Sequence, residues 1–151
     1  MIIREANLQD FEAVLNIESS CFIDPYPQNQ LEYEFKENPL NKILVAVDGD
    51  KIVGFIDYMI TFNSATITQI AVVNECRKQG IATLLLNEME KTFPTDIEDI
   101  VENVTLEVRK SNLAAINLYK KNGYELVVEK KHYYKDGEDA LYMVKRLLLC
   151  R

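Results

Sequence analysis

An apolar run that passes through a short basic turn into an amphipathic helix constrains the fold of this chain most. The run covers residues 65 to 73, and the turn contains Arg77, Lys78 and Gly80. The helix has apolar residues at helical spacing, at Ile81, Leu84, Leu85 and Met89. A further alternating run, Val104 to Val108, follows the acidic stretch at residues 96 to 102. A strand, a helix and a strand in this order predict a βαβ unit, whose two strands are parallel.

The other apolar patterns predict elements on both sides of this unit. Residues 2 to 4 form a strand, Asn7 caps a first helix that extends to Phe22, and a second helix lies between Pro27 and Pro39. Strands at 43 to 47 and 52 to 62 form an antiparallel meander with the run at 65 to 73. A helix at 112 to 122, capped by Gly123, precedes closing strands at 124 to 133 and 140 to 148. The prediction is an α+β fold with a mixed, mostly antiparallel sheet.

The length and composition of the chain restrict the functions that it can have. The 151 residues predict one domain, residues 1 to 151. Seventeen basic residues against 24 acidic ones give a net charge of −7, which disfavours direct nucleic-acid binding and favours a cationic partner. No apolar stretch resembles a signal peptide or a membrane span, so we expect a cytoplasmic protein without membrane contact. The three cysteines, Cys21, Cys76 and Cys150, form no CxxC pair, so neither a disulfide framework nor a metal site is expected.

The basic turn has the chemistry of a phosphate site. Backbone N–H groups at a helix N-terminus lie at the positive end of the helix dipole, and Arg77 and Lys78 add charge. Gly80 lets an anion approach the main chain closely. Considered alone, however, one glycine after two basic residues is more often an ordinary helix start.

Three motifs together resemble the GNAT acetyltransferases. Residues 77 to 82 match the acetyl-CoA signature R/Q-x-x-G-x-G/A between a strand and a helix. Residues 106 to 124 are similar to the block L-E-V-R-x-S-N-x-x-A-x-x-L-Y-x-x-x-G-F/Y of the RimI type, the ribosomal-protein alanine N-acetyltransferases, and residues 133 to 143 resemble its Y-Y…E-D-A-x-x-M ending. The resemblance covers essentially the whole chain. It implies a seven-stranded sheet with about four helices and a splayed parallel strand pair.

The resemblance also implies which residues hold acetyl-CoA, the expected cosubstrate. The main chain of the strand at residues 70 to 72 would pair with the pantetheine arm, with the Val72 N–H polarising the acetyl carbonyl. The alternative is that Ile70, Ala71 and Val72 are only buried strand residues with no contact to the cofactor. The full set of expected cofactor-binding residues is Ile70, Ala71, Val72, Lys78, Gln79, Gly80, Ile81, Ala82, Thr83 and Asn112. Asn112 can also cap the helix that follows it, so we expect it either to cap that helix, to contact the cofactor, or to do both.

Two residues of the second motif are the expected catalytic groups. Glu107 lies on the opposite side of its strand from Leu106 and Val108, where a lone carboxylate is usually solvated or ion-paired. Its place in the block favours a base that takes the proton of the attacking amine, directly or through water. Tyr119 would be an ordinary core aromatic, but its place in the block favours the acid that protonates the departing thiolate. His132, the only histidine, is expected to be structural or part of the acceptor pocket.

The resemblance implies acetyl transfer to a protein N-terminal amine, by direct attack through a tetrahedral intermediate. The implied acceptor is the N-terminal alanine of ribosomal protein S18, whose basic tail suits an acidic enzyme. Pro25-Tyr26 stands where RimI-like chains usually carry Pro-Trp, so the chain departs from this type in the region that shapes the acceptor pocket. The alternatives are a lysine or small-amine acetyltransferase and a non-catalytic acyl-CoA-binding module. A monomer or weak dimer is expected.

Overall fold

A computed structural model describes residues 1 to 147, and within them it contains seven β-strands and four α-helices. The strands are β1 (Ile2–Glu5), β2 (Asn41–Asp48), β3 (Lys51–Thr61), β4 (Ser64–Val72), β5 (Asn103–Arg109), β6 (Glu125–Lys130) and β7 (Ala140–Arg146). The helices are α1 (Phe11–Cys21), α2 (Gln28–Lys36), α3 (Ile81–Lys91) and α4 (Leu113–Lys121). The sheet order is β1-β2-β3-β4-β5-β7-β6. The predicted α+β fold with a mixed, mostly antiparallel sheet is confirmed.

The chain divides into two compact units. Unit 1 comprises Met1–Met59 and Gln69–Phe93, and unit 2 comprises Ile60–Thr68 and Pro94–Arg151. The core of unit 1 forms where α1 and α2 pack on one face of the strands, and it consists of Val14, Ile17, Leu31, Ile43, Val45, Phe55 and Ala71. These residues recur at helical spacing in the helices and at alternate positions in the strands, so the sequence pattern itself directs them to one core.

Local hydrogen bonds explain where the first helical segment begins. The Asn7 side chain accepts from the Gln9 N–H at 2.9 Å, and the Asp10 carboxylate accepts from the Asn7 N–H at 2.8 Å. This reciprocal capping box starts a short 3-10 turn, Leu8–Asp10, which leads into α1. The predicted cap at Asn7 is therefore confirmed.

Unit 2 contains the one parallel pairing among the described residues. It joins the first residues of β4 to the first residues of β5, with Ser64 opposite Asn103 and Thr66 opposite Thr105. β7 then pairs antiparallel with β5 along its length and with β6 on its other side. Gly123 ends α4 at φ +94°, a conformation that favours glycine, which confirms the predicted helix end.

Three predicted strand ends are wrong. The strand predicted to end at Val73 ends at Val72. Phe62 was expected in β3 but lies in the tight turn before β4, at φ +54° and 97% exposed. The strand predicted to reach Tyr133 ends at Lys130, because His132 adopts φ +54° and its N–H donates to the Asp139 carboxylate at 2.9 Å. His132, Tyr133 and Tyr134 therefore lie in the β6–β7 connection. The predicted strand end at Leu148, and Cys150, lie outside the described residues.

None of the helices in residues 1 to 147 has the length and apolar character needed to cross a bilayer.

Candidate active site

The turn between β4 and α3 in unit 1 is built from two left-handed residues. After β4 a 3-10 turn, Asn74–Cys76, precedes Lys78 at φ +63° and Gly80 at φ +82°. Gly80 is the N-cap of α3, and its missing side chain leaves the first turn without a side-chain cap. A Cβ added at Gly80 would meet no atom of the described residues, 1 to 147, within 4 Å, so the space in front of the helix is open to them. This geometry fits an anionic group such as a pyrophosphate, held by main-chain N–H groups of Ile81 and Ala82.

Arg77 is directed at the end of β4. Its Nε donates to the Val72 carbonyl at 3.0 Å, and its guanidinium also approaches the Asn74 side chain at 3.4 Å and the Cys21 sulfur at 3.6 Å. The sequence suggested a simple contribution of positive charge. The structure adds a mechanical role, because Arg77 ties the turn to the strand residue that precedes it.

The main chain of β4 alternates between its two edges. The Val73 N–H donates to the Val53 carbonyl at 2.9 Å, so residue 73 faces β3. Ala71 faces β3 as well, since its carbonyl would lie 2.9 Å from a Cβ built at Gly54. By alternation, the main-chain groups of Ile70 and Val72 face the opposite edge of β4. Of the three strand residues expected to bind the donor, these two present their N–H groups away from β3.

Unit 2 positions the two expected catalytic residues. Glu107 lies on β5 opposite Tyr142 of β7, and its Oε1 accepts a hydrogen bond from Lys130 Nζ at 2.9 Å. The flanking Leu106 and Val108 are buried, which confirms that Glu107 points to the other side of the strand. The ion pair is the ordinary alternative considered for a lone strand carboxylate, and it does not prevent the carboxylate from accepting a proton.

Tyr119 on α4 is 7% exposed and packs against Tyr124, with ring centroids 5.8 Å apart. Burial, and to a lesser extent the neighbouring Tyr134, raise the pKa of Tyr119 above its ordinary value. Burial also raises the pKa of Tyr134 to about 12. Both phenols therefore stay protonated well above neutral pH, and both can donate a hydrogen bond.

Tyr134 lies beside the charged groups of unit 2, with its ring against the Arg109 guanidinium. The guanidinium of Arg109 lies 4.1 Å from the centre of the Tyr134 ring, and Arg109 is held by Asp136 and Glu138 at 2.9 Å each. After burial, the pKa of Tyr134 is lowered by the nearby Arg109 and raised by Tyr133, Glu107 and Glu138. Tyr134 is thus near both expected catalytic residues, in a turn that an ion-paired arginine holds in shape.

Asn112 has the structural role that was considered for it. Its Oδ1 accepts from the Ala115 N–H at 3.2 Å, so it caps α4. A contact from its amide nitrogen to the cofactor stays a prediction.

Sequence reasoning missed three contributions to these sites. Gly54 permits the close approach of β3 to β4, and a lone glycine inside a strand pattern was the available signal. Lys130 contacts Glu107 from β6, a pairing across strands that the linear sequence does not reveal. Tyr134 entered the sequence analysis only as part of the motif at residues 133 to 143, with no role of its own. Among residues 1 to 147 no group of three or more His, Cys, Asp or Glu side chains is arranged to hold a metal.

The segment between α1 and α2 is fixed by a buried carboxyl group. Glu18 of α1 is fully buried, and its Oε1 accepts from the Tyr26 N–H at 2.7 Å and from Gln69 Nε2 at 2.6 Å. Tyr26, the residue that departs from the usual Pro-Trp, is therefore attached through its main chain to α1 and, through Glu18, to β4.

Comparison with known proteins agrees with this architecture. The model of the acetyltransferase (GNAT) family matches residues 11–124. A Bacillus subtilis protein, provisionally named [ribosomal protein bS18]-alanine N-acetyltransferase, is 36% identical over 93% of this chain and 92% of its own length. The N-alpha-acetyltransferase of Sulfurisphaera tokodaii is 35% identical over 96% of this chain and 92% of its own length. The crystal structure of the ribosomal-protein-S18-alanine N-acetyltransferase from Escherichia coli superposes with a TM-score of 0.84 at 26% identity, covering 99% of this chain and 96% of that one.

Proposed function

Because the chain belongs to the acetyltransferase (GNAT) family, we propose that this acetyl-CoA-dependent N-acetyltransferase acts on protein N-terminal amines. The candidate acceptor is the N-terminal alanine of ribosomal protein S18. The observation that carries this assignment is the near full-length similarity to relatives named for N-alpha or S18 acetylation, at 35% and 36% identity. The net charge of −7 supports it, since an acidic enzyme attracts a basic ribosomal tail.

The donor would be held by main-chain groups of unit 1. The N–H groups of Ile70 and Val72 face the edge of β4 away from β3, where they can pair with the amides of an extended pantetheine arm. The open N-terminus of α3 suits the pyrophosphate, with Lys78, Gln79 and Thr83 flanking it. Arg77 holds Val72 in place through its carbonyl, which supports the proposed role of the Val72 N–H as a donor to the acetyl oxygen.

The bound donor supplies an activated acetyl thioester. Two residues of the chain transfer protons, one as a base and one as an acid. Glu107 accepts the proton that the acceptor amine loses as its nitrogen attacks the acetyl carbon through a tetrahedral intermediate. As the carbon–sulfur bond breaks, the Tyr119 hydroxyl donates towards the sulfur that carries the electron pair. The raised pKa of Tyr119 keeps its hydroxyl protonated, so that it can donate a hydrogen bond to the departing sulfur. An N-terminal amine, with a pKa of about 8, needs only a weak base.

The domain organisation, location and oligomeric state of the protein are further parts of the proposal. We propose that residues 1 to 151 form a single domain that works in the cytoplasm as a monomer or weak dimer, without direct contact to nucleic acid or membrane. The net charge of −7 supports the exclusion of nucleic acid.

Peptide acetylation tests the proposal directly. The purified protein is incubated with acetyl-CoA and a peptide carrying the S18 N-terminus, and release of free thiol is followed together with the mass of the peptide. The matched control is the same peptide with its N-terminus already blocked and its lysines intact. We expect acetylation of the free peptide on its α-amine and no reaction of the blocked one.

Other outcomes identify the alternatives. Equal reaction of the blocked peptide assigns lysine acetylation. Reaction only with free small amines assigns a small-molecule acceptor, and acetyl-CoA binding without thiol release for any amine assigns a binding module. Mass-spectrometric comparison of ribosomal protein N-termini from cells with and without the protein then identifies the natural acceptor.

A further inference from the structure

The expected base does not stand alone in unit 2. The Glu107 side chain is 21% exposed and the Lys130 side chain 38%, and their charged atoms are 2.9 Å apart. The pair is therefore partly shielded from water, which makes it stronger than an ion pair between fully exposed groups.

Aromatic rings surround the ammonium of Lys130. Its Nζ lies 4.6 Å from the centre of the Tyr142 ring and 5.4 Å from that of Tyr133. The faces of these rings attract a cation and restrict its position. The hydrogen bond to Glu107 is the largest influence that raises the pKa of Lys130, so its ammonium persists across the working pH range.

The other titratable groups around Glu107 are two tyrosines and one arginine. Tyr142 lies opposite it on β7, and Tyr134 in the β6–β7 connection is coupled to it electrostatically. Arg109, two residues along β5, is engaged by Asp136 and Glu138. Among residues 1 to 147, Lys130 is therefore the cation in contact with the Glu107 carboxylate.

We propose that Lys130 is a positioning residue for Glu107, whose ammonium keeps the carboxylate ionised and aimed while the acceptor amine is being deprotonated. The inference rests on the proposed role of Glu107 as the proton acceptor. A carboxylate can accept a proton only when it is ionised, and an adjacent ammonium favours that form. Without Lys130, the Glu107 carboxylate, whose side chain is 21% exposed, would lose the cation that contacts it, in surroundings that disfavour its charge.

The test compares three lysine variants. Lys130→Met removes the ammonium and keeps an unbranched chain, whereas Lys130→Arg keeps the charge. Lys131→Met is the matched control, since it removes the same charge from the next residue, which pairs with Glu129 and Asp139. The rate at saturation, kcat, is measured from pH 4.5 to 9 for each variant and divided by the native rate at the same pH. Titration of the acceptor amine cancels in this ratio.

For Lys130→Met we expect a ratio below one at pH 8, because the carboxylate is no longer aimed, and a further fall of about threefold or more by pH 5, because no ammonium then favours its charged form. Lys130→Arg and Lys131→Met should give ratios independent of pH. A role in stability alone would change melting temperature without producing this pH dependence.

The variant Glu107→Gln distinguishes a failure of the proposed base from a failure of the proposed role of Lys130. If it keeps the native rate, the proposed base and this inference are both overturned. If Glu107→Gln loses its rate while the Lys130→Met ratio stays flat with pH, the base stands and the role of Lys130 is wrong.

Discussion

Gln69 on β4 donates a hydrogen bond from its Nε2 to the Oε1 of Glu18 on α1 at 2.6 Å, inside the core of unit 1. The second carboxyl oxygen of Glu18 and the amide oxygen of Gln69 are both buried and have no hydrogen-bond partner among residues 1 to 147. Two buried acceptors without a donor cost stability. Burial raises the pKa of Glu18, and a protonated Glu18 would supply one of the missing donors.

Glu18→Gln should therefore stabilise the protein at neutral pH, by about 1 kcal/mol. The new amide retains an acceptor for the Tyr26 N–H and adds N–H donors without a charge. Because the pKa of Glu18 is raised on folding, its contribution to native stability is fully present below the unfolded value of about 4.3 and is lost as pH rises through the folded value. The advantage of the variant should grow from pH 4.5 upwards. Denaturant unfolding across pH 4 to 8 measures it.

Glu12→Gln is the control, because Glu12 lies on the same helix but is exposed. Its unfolding free energy should differ from the native value by a few tenths of a kcal/mol at every pH. A Glu18→Gln protein that is less stable at pH 7 would show that the charged carboxylate is stabilised by groups beyond Tyr26 and Gln69.

Gly80→Val should weaken acetyl-CoA binding by tenfold or more. The backbone at φ +82° is unfavourable for a β-branched residue, and the added methyl groups would project into the open space at the start of α3. Titration calorimetry measures the affinity. Gly49→Val is the control, because Gly49 has φ +67°, is equally free of neighbours and lies in the β2–β3 turn of the same unit. Equal affinities in the two folded variants would remove the phosphate-binding role of the turn.

The sequence was sufficient for the order and type of the elements. Periodic apolar positions identify α1 and α3 because one face of each helix must be buried, and Gly80 and Gly123 mark helix ends because their backbone needs positive φ. These are local effects, which a linear pattern records. Glu107 and Tyr119 became candidates because residues 106 to 124 resemble a family motif, which is also a linear pattern.

What the sequence could not predict depends on contacts between distant residues. The end of β6 at Lys130 is set by the Asp139 carboxylate, which binds the His132 N–H and the Lys131 ammonium from the far side of the turn. Sheet propensity alone favoured extending the strand through Tyr133. The contacts of Glu107 with Lys130 and of Glu18 with Gln69 join residues that are 23 and 51 positions apart, so no local pattern reveals them.

A single domain should unfold in a single cooperative transition, although the chain contains two compact units. The chain leaves unit 1 after Met59, returns to it at Gln69 and leaves it again after Phe93, so neither unit is one continuous segment. Differential scanning calorimetry should give a calorimetric enthalpy equal to the van't Hoff enthalpy. Two resolved transitions would contradict the single-domain prediction.

Tyr119→Phe should lower kcat by roughly 10²-fold and leave the affinity for acetyl-CoA nearly unchanged. The substitution removes only a hydroxyl and retains the ring that packs against Tyr124. Because burial raises the pKa of Tyr119, deprotonation of this group should not limit the native rate between pH 6 and 10.

Tyr124→Phe is the matched control for this experiment, since it removes a hydroxyl from the neighbouring buried ring, at a position where the family motif accepts Phe. Its chemical step should proceed within about twofold of the native rate, a change of roughly 0.4 kcal/mol in the barrier. Rapid-mixing measurement of the first turnover separates this step from product release. A Tyr119→Phe protein with the native first-turnover rate would show that the hydroxyl is not the acid and that Tyr119 is a core aromatic. Tyr134, which is protonated at neutral pH and near both Glu107 and Tyr119, would then be the next residue to substitute.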